Sequence, residues 1–206
     1  IYQNRSDAGG NPSVVSTATE LNDINIGDTI KVDLGFETSN NAFGVVGERA
    51  GMYARIYLTA DESTYYEFGY SDTDGKVSGE NTAPAEFLPY LRLVENGIQT
   101  SIDYDEDNEN GIIKKGLNLQ ARLDAYSATK TFTLTLTENG AVCTAAGSDW
   151  TFNGACEATT KIVPDSTKIS FGLYDGVDGE KTVEAYVDYT GVKSIISNYI
   201  INIFKN

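Results

Sequence analysis

The strongest constraint on this chain is a period of two in its apolar residues, and it is clearest over the stretch 168–192. Apolar residues occupy every second position over 169–173 and again over 183–189. A period of two buries one face of a strand and leaves the other in water. The segment 175–179 separates the two runs, and its two glycines suit a turn. The sequence therefore predicts a β-hairpin here.

The same alternation recurs along the chain at short intervals. Asn96-Gly97 and Asn139-Gly140 are dipeptides typical of tight hairpin turns. Pro89 within one run places that strand near an edge or bulge. The pattern predicts an all-β fold, an antiparallel two-sheet β-sandwich, in one domain over 1–206. The other predicted strands cover residues 13–21, 24–36, 52–59, 64–70, 86–94, 99–104, 117–126, 131–137 and 159–163.

The charge is strongly acidic, with 15 basic residues against 30 acidic ones, no His, and a formal net charge of −15. This balance argues against nucleic acid and anionic membranes as partners. It fits simple solubility, and the alternatives are binding of divalent cations or life in salt water. No apolar stretch is long enough for a transmembrane helix.

Cys143 and Cys156 are the two cysteines of the chain, and we expect a disulfide between them. Such a link would stabilise the fold by ~3 kcal/mol in the loop-entropy model. It would imply an oxidising, extracellular or cell-surface location. The alternative is two separate reduced thiols. Asn4 begins a tripeptide that fits the N-glycosylation sequon, and the start at Ile1 suggests a processed form or an excised domain.

An acidic loop with a following Gly111 is the best metal candidate. Its alternating carboxylates suit Ca²⁺, which takes six to eight oxygen ligands, although the spacing does not match an EF-hand. The alternative is an exposed acidic turn. The candidate ligands are Asp103, Asp105, Asp107 and Glu109.

Two groups of aromatic residues could stack on sugar rings. Tyr66, Phe68 and Tyr70 share one face of a predicted strand, and Trp150 lies between the two cysteines. The alternatives are that the three rings belong to the core and that Trp150 caps the sandwich.

The ends of the chain differ from the rest. Residues 1–21 form a predicted N-terminal arm, and the apolar tail 194–206 combines helical spacing with residues that favour strands. We expect the tail either to pack on its own domain or to insert into a neighbouring subunit. The candidate assembly residues are Ile196, Tyr199, Ile200, Ile203 and Phe204.

Residues 169–173 and 182–189 resemble the last strands of the concanavalin A-like lectin/glucanase jelly-roll superfamily. Residues 53–58 and 132–136 resemble its middle strands. The resemblance implies a jelly-roll sandwich whose concave sheet, in many relatives, binds extended saccharides.

The chain departs from the enzymes of that superfamily. It lacks their Glu-x-Asp-x-x-Glu strand, and Glu184 and Asp188 would lie roughly 13 Å apart along one strand. Glycosidases need carboxyl groups ~5–9.5 Å apart. Similar lyases often pair His with Tyr, and this chain has no His. A lyase using Tyr53, Arg55 and Tyr57, which share one face of a strand, stays open.

The favoured function is a non-catalytic extracellular binding or adhesion module for a polysaccharide or other glycan, with Ca²⁺ as a possible structural ion. The first alternative is a structural subunit of an extracellular filament or matrix, assembled by exchange of a terminal segment. The second alternative is a polysaccharide-active enzyme, either a lyase or a glycosidase.

Overall fold

The computed structural model of the chain describes residues 2–4, 12–15, 18–21, 24–34, 50–72, 87–104, 130–147, 150–175, 182–187 and 199–204. Every regular element among them is a β-strand, so this part of the chain contains no helix that could cross a membrane. The strands are β1 (Tyr2–Asn4), β2 (Pro12–Val15), β3 (Thr19–Glu20), β4 (Thr29–Leu34), β5 (Ala50–Tyr57), β6 (Tyr65–Asp72), β7 (Phe87–Glu95), β8 (Ile98–Tyr104), β9 (Lys130–Thr137), β10 (Gly140–Ala146), β11 (Thr151–Glu157), β12 (Lys168–Asp175), β13 (Thr182–Val187) and β14 (Tyr199–Phe204).

The strands form two large antiparallel sheets and one small one. The eight-stranded sheet has the order β1-β2-β12-β5-β6-β7-β8, with β3 also paired to β12. The four-stranded sheet has the order β11-β10-β9-β4, and β13 pairs with β14 in a sheet of two strands. All described pairs are antiparallel. The predicted all-β, two-sheet sandwich of jelly-roll type is therefore confirmed.

The core lies between the two large sheets and follows from the alternation in the sequence. In β9 every second residue is buried, so its threonines face outward while Phe132 and Leu134 face the other sheet. Met52 and Ile56 of β5 and Phe68 of β6 enter the same core from the eight-stranded sheet. Burial of such side chains contributes about 1.5–3 kcal/mol each.

The two predicted tight turns are confirmed. Asn96 and Gly97 both have positive φ, 52° and 79°, and they join β7 to β8. That pair of left-handed residues suits the twist of a hairpin. Gly140 follows the turn between β9 and β10 and lies opposite Thr137. Pro89 lies where β7 pairs with β6 only, beyond the end of its ladder with β8, which agrees with its lack of an N–H donor.

The predicted closing hairpin over 168–192 is wrong. Strand β12 pairs with β5 on one side and with β2 and β3 on the other, and β13 pairs with β14. Alternation specifies the faces of a strand but not its partner, so neighbours in sequence need not be neighbours in the sheet. The predicted strand 159–163 is also wrong because those residues form bends and irregular backbone. The predicted strand 117–126 lies outside the described residues.

Both ends of the chain contribute strands paired within the same chain. Three short strands, β1 to β3, lie in the predicted arm, and β2 and β3 pair with β12. In the tail, Tyr199 to Phe204 form β14, so strand propensity prevails over the helical spacing. The four assembly candidates Tyr199, Ile200, Ile203 and Phe204 are thus paired with β13, and Ile196 lies outside the described residues.

The predicted disulfide is also wrong. Cys143 and Cys156 are free, buried thiols on the β10–β11 hairpin. Cys143 lies opposite Gly154 and Cys156 opposite Ala141, so the thiols occupy diagonal positions. Diagonal neighbours lie ~7–8 Å apart, whereas disulfide-linked Cα atoms are usually ~4.4–6.8 Å apart. The redox argument for an extracellular location therefore no longer applies.

Candidate functional site

The eight-stranded sheet carries a dense set of tyrosine and charged side chains on the face opposite the core. We call this set the outer face. Its positions alternate with core residues along each strand, as a period of two requires. Register places Ser170, Arg55, Glu67 and Arg92 in one row across β12, β5, β6 and β7. The other members of the outer face are Tyr53, Tyr57, Tyr65 and Tyr90.

Glu67 is the centre of the outer face. Its Oε2 accepts a hydrogen bond of 2.7 Å from Nε of Arg55. Nη2 of Arg92 lies 2.7 Å from each carboxylate oxygen of Glu67. The hydroxyl of Tyr90 donates to Oε1 at 2.7 Å. Three strands are thus joined through one carboxylate.

The side chain of Glu67 has no exposed surface, while those of Arg55 and Arg92 are 10% and 16% exposed. Burial alone would raise the pKa of Glu67, but Arg92, Arg55 and their hydrogen bonds hold that pKa below its ordinary value. Burial would lower the pKa of Arg55, and the charge of Glu67 outweighs it, so that pKa is raised. All three groups are therefore ionised at neutral pH.

Aromatic rings surround the Arg55 guanidinium. Its Cζ lies 5.0 Å from the ring centre of Tyr53 and 4.8 Å from that of Tyr65. Both distances suit cation–π contacts. The rings of Tyr57 and Tyr65 meet edge to face at 5.4 Å, and the Ser170 hydroxyl donates to the Tyr57 hydroxyl at 3.2 Å. The side chains of the outer face therefore hold one another in place.

Two glycines make room for Tyr53. Gly69 of β6 and Gly172 of β12 lie directly opposite Tyr53, one on each side. A Cβ atom at Gly172 would overlap the Tyr53 ring, and one at Gly69 would overlap the Met52 carbonyl oxygen. The Tyr53 ring therefore lies across Gly172, in space that a larger residue would fill.

This arrangement suits binding better than proton transfer. Tyrosine rings offer apolar faces with polar hydroxyls, and a fixed guanidinium offers hydrogen-bond donors of set direction. Tyr65 and Arg92 are partly exposed, so these two residues form the accessible part of the outer face. An ionised Glu67 is a poor proton donor at neutral pH.

The aromatic residues proposed to bind sugar lie elsewhere. Tyr66, Phe68 and Tyr70 share one face of β6, as predicted, but that face is the core, and at most 1% of each residue is exposed. Tyr70 stacks on Phe132 with ring centres 6.3 Å apart. Rings buried in this way have no free face for a ligand, so the sugar-stacking prediction is wrong for these three.

Trp150 is buried at the end of the β10–β11 hairpin, and its indole lies against Gly147. The Gly147 N–H donates to the Trp150 carbonyl oxygen at 2.9 Å. Trp150 joins the core cluster, so it closes one end of the sandwich rather than offering a ligand platform.

The other predicted sites are largely outside the described residues. Asp103 lies on β8, where its Oδ2 accepts a hydrogen bond from the Ala155 N–H at 2.8 Å. Asp105, Asp107 and Glu109 are not described, so the Ca²⁺ site stays a prediction. The described residues contain no group of three or more candidate metal ligands. Asn4 lies on β1, and its glycosylation also stays a prediction.

Sequence reasoning found part of the outer face and missed its centre. It placed Tyr53, Arg55 and Tyr57 on one face of one strand, and the structure has them there. It missed Glu67 and Arg92, because they join Arg55 only through the pairing of three strands. The available signal was a charged residue in the middle of each of three consecutive strands.

No family model matches the chain, and no curated protein matches its sequence at a significant level. Among solved structures, the chain is similar to a toad ovary galectin in complex with thio-digalactose. The two share 12% identity, the match covers 81% of this chain and 95% of that chain, and the TM-score is 0.41. It is similar to CG-16, a homodimeric agglutinin from chicken liver, with 10% identity, 86% and 99% coverage, and a TM-score of 0.43.

A third similar structure is a GH16 protein of Bacteroides ovatus, from a mixed-linkage glucan locus, in complex with a G4G4G3G product. It shares 12% identity, covers 96% of this chain and 83% of that chain, and has a TM-score of 0.44. These likenesses are too distant to say what this chain binds.

Proposed function

We propose that this protein is a non-catalytic carbohydrate-binding module that binds glycans at the outer face. The observation that supports this most strongly is the row of Arg55, Glu67 and Arg92, where Arg92 and the Tyr65 ring are partly exposed while Tyr53, Tyr57 and Tyr90 are buried and hold the row in place. Small-molecule sites combine apolar and aromatic surface with a few fixed polar groups. A buried carboxylate that fixes two guanidinium groups removes most of the ordering cost of binding.

Binding is favoured over catalysis by the state of Glu67. A glycosidase needs two carboxyl groups, of which one is protonated before reaction. Arg55 and Arg92 hold Glu67 ionised, so it cannot donate the proton, and its side chain has no exposed surface from which it could act as the second, ionised carboxylate. The lyase alternative requires Tyr53, Arg55 and Tyr57 to reach a substrate, whereas Tyr53 and Tyr57 are buried and Arg55 is paired with Glu67.

A glycan array followed by calorimetric titration of the strongest ligand tests the proposal. We expect Tyr65→Ala to weaken glycan binding by about tenfold or more, because it removes the accessible ring. We expect Arg92→Lys to weaken binding too, because it retains the charge and loses the planar fork of donors. Glu157→Gln, an exposed change on β11, is the control and should bind as the wild type does.

Either of two results would overturn the proposal. One is an array on which the folded protein binds no glycan. The other is binding that neither Tyr65→Ala nor Arg92→Lys weakens while both variants keep the wild-type melting temperature.

An extracellular or cell-surface location and a structural Ca²⁺ remain part of the proposal. The acidic composition supports the extracellular or cell-surface location. The cysteines do not support it, because both thiols are free. Support for Ca²⁺ is the run of carboxylates that begins at Asp103. Comparing the melting temperature in millimolar Ca²⁺ and in EDTA tests the ion, and an unchanged value would exclude a structural role for it.

A further inference from the structure

The charged row of the outer face (Ser170, Arg55, Glu67 and Arg92) continues onto β8 at Ile102, which lies opposite Arg92. Ser170, Arg55 and Glu67 are buried. Arg92 is half-buried, and Ile102 is exposed. The charged row is therefore open to solvent over β7 and β8, where Arg92 is its charged residue.

Positive charge exceeds negative charge in the charged row. The guanidinium groups of Arg55 and Arg92 share the one carboxylate of Glu67, each at 2.7 Å. The rows on either side, on β5 to β8, consist of tyrosine, valine, glutamine and glycine residues, which carry no charge. This part of the sheet therefore has an excess positive charge, although the formal net charge of the chain is −15.

The excess charge lies where water screens it weakly. The side chains of Arg55 and Arg92 are only 10% and 16% exposed, and charges interact more strongly near buried groups than in bulk water. The charge also reaches the accessible ring of Tyr65. Burial raises the pKa of Tyr65, and the charges of Arg55 and Arg92 act against that rise. An anion beside Arg92 would therefore be attracted to this face.

The surroundings of Arg92 suit an acidic sugar better than a neutral one. A guanidinium group binds an anionic group such as a carboxylate through parallel hydrogen bonds. Sugar hydroxyl groups are neutral, so they would not balance the excess charge. Tyr65 and Ile102 lie on the two strands beside Arg92, and both offer apolar surface for the C–H face of a sugar ring.

We propose that the glycan bound at the outer face is acidic, and that Arg92 pairs with an anionic group, a carboxylate or a sulfate, on one of its sugar residues. Tyr65 and Ile102 contact the ring that carries this group. The inference rests on the proposed function, and it adds the chemical class of the ligand. The net charge of −15 repels polyanions in general, so a preference for acidic glycans would have to come from the local excess at Arg92.

Paired acidic and neutral oligosaccharides test the inference. The glycan array carries oligomers of galacturonate, glucuronate and mannuronate, each as the free acid and as the methyl ester, together with sulfated and unsulfated galactose oligomers. Calorimetric titration then compares the two members of the best pair. We expect the acidic member to bind about tenfold or more tightly, because the neutral member loses a charge-assisted hydrogen bond to Arg92. The better pair also identifies the anionic group as a carboxylate or a sulfate.

Three variants locate the preference at the charged row. Arg92→Gln leaves Arg55 and Glu67 as a balanced pair, so the ratio of acidic to neutral affinity should fall to about one. Ile102→Lys adds a positive charge beside Arg92 and should increase this ratio severalfold. Ile98→Lys changes the net charge equally, at an exposed position near the turn of the same hairpin, and should leave the ratio unchanged. The two isoleucines are exposed, so their variants test the inference even where Arg92→Gln is unstable.

The possible failures are distinguishable. Equal binding of the acidic and neutral members, weakened by Tyr65→Ala, would overturn this inference and leave the proposed function intact. An array on which no glycan binds would overturn both. The inference is also overturned if folded Arg92→Gln keeps the preference for the acidic member, or if Ile98→Lys and Ile102→Lys raise that preference equally.

Discussion

Burial of the Glu67 carboxylate is unfavourable for stability, but this residue positions the charged groups of the outer face. Removing a carboxylate from water costs several kcal/mol, and an apolar residue of similar volume is often as stable. Glu67 offsets this cost with two guanidinium groups and the hydroxyl of Tyr90. Its contribution is therefore to position Arg55 and Arg92 on neighbouring strands.

Glu67→Gln should destabilise the fold, because it leaves Arg55 and Arg92 close together without their counter-charge. The expected loss in free energy of unfolding is about 3–5 kcal/mol, as for other broken buried pairs. Urea unfolding at neutral pH measures it. The exposed Glu157→Gln should change stability by no more than about 0.5 kcal/mol.

The difference in stability between the wild type and Glu67→Gln should depend on pH. The pKa of Glu67 in the folded state is below its ordinary value of 4.5, so its contribution is complete above that pH. The contribution is lost as pH falls through the lower, folded-state pKa. A loss that was instead complete at pH 5 would show that Glu67 is not held ionised.

Lys130 adds a second dependence of stability on pH, of the same sign but in a higher pH range. Lys130 lies at the start of β9 and is only 2% exposed. Its Nζ lies 4.7 Å from the centre of the Tyr70 ring. Burial lowers the pKa of Lys130 from 10.5 to about 7. Between these values the unfolded chain binds more protons than the folded chain, so stability rises with pH.

We therefore expect the stability of the wild type, relative to Lys130→Met, to rise between about pH 7 and pH 10. The rise should be at most about 1.4 kcal/mol per pH unit. Urea titrations at several pH values measure it, and titrating tyrosines cancel between the two proteins. Lys161→Met, at an exposed position, should run parallel to the wild type. A constant difference between wild type and Lys130→Met would contradict the prediction.

At the scale of strands, the outer face depends on the glycines beside Tyr53. Gly172 of β12 and Gly69 of β6 lie opposite that residue, and the ring crosses Gly172. Glycine weakens a strand by itself because it has no side chain to pack. Here the Tyr53 ring supplies that packing and joins β5 to β12.

Gly172→Ala should therefore cost about 1–3 kcal/mol, as overpacking usually does. The new methyl group would displace the Tyr53 ring and, with it, one of the rings beside Arg55. Tyr53→Ala removes the overlap, so the double variant should be more stable than the sum of the single losses predicts. Additive losses, measured by thermal or urea unfolding, would show that the ring does not occupy this space.

Much of the strand content could be predicted from the sequence, and the pairing of the strands could not. The alternation in β9 and the dipeptides Asn96-Gly97 and Asn139-Gly140 are local signals, and each has its predicted structure. The partners of β12, which are β5 on one side and β2 and β3 on the other, lie far away in the chain, whereas β13 pairs with the next strand, β14. A local pattern gives no information on such long-range pairing.

The candidate site shows the same division. A period of two placed Tyr53 and Arg55 together, but it could not select the core face of β6, where aromatic side chains lie on both faces. Tyr66 was therefore assigned to a ligand surface although it is buried. Glu67 lies on the other face of the same strand, and its role follows only from the register with β5 and β7.

At the scale of the whole molecule, both termini pair within their own chain. Strand β2 joins β12, and β14 joins β13. The filament alternative requires one of these segments to pair with another copy instead. We expect light scattering of the purified protein to give the mass of a single chain, with and without millimolar Ca²⁺.

A chain that ends at residue 198 lacks β14, and it should melt at a lower temperature and still be a monomer by light scattering. Regular fibres of the full chain that disappear with this truncation would favour the filament alternative over a monomeric binding module. Fibres that persist after the truncation would indicate that the N-terminal strands, and not β14, pair with a neighbouring copy.

The position of β12 also constrains the order in which the chain can fold. Strands β5 to β8 follow one another in both sequence and sheet, so they can pair soon after synthesis. Strand β12 comes more than a hundred residues after its neighbour β5, as the separation of 113 between Ser170 and Tyr57 shows. Among the described strands, β2 joins the large sheet only through β12. Contacts so distant in sequence form slowly. Strands β2 and β3 therefore stay unpaired with that sheet until β12 has been synthesised.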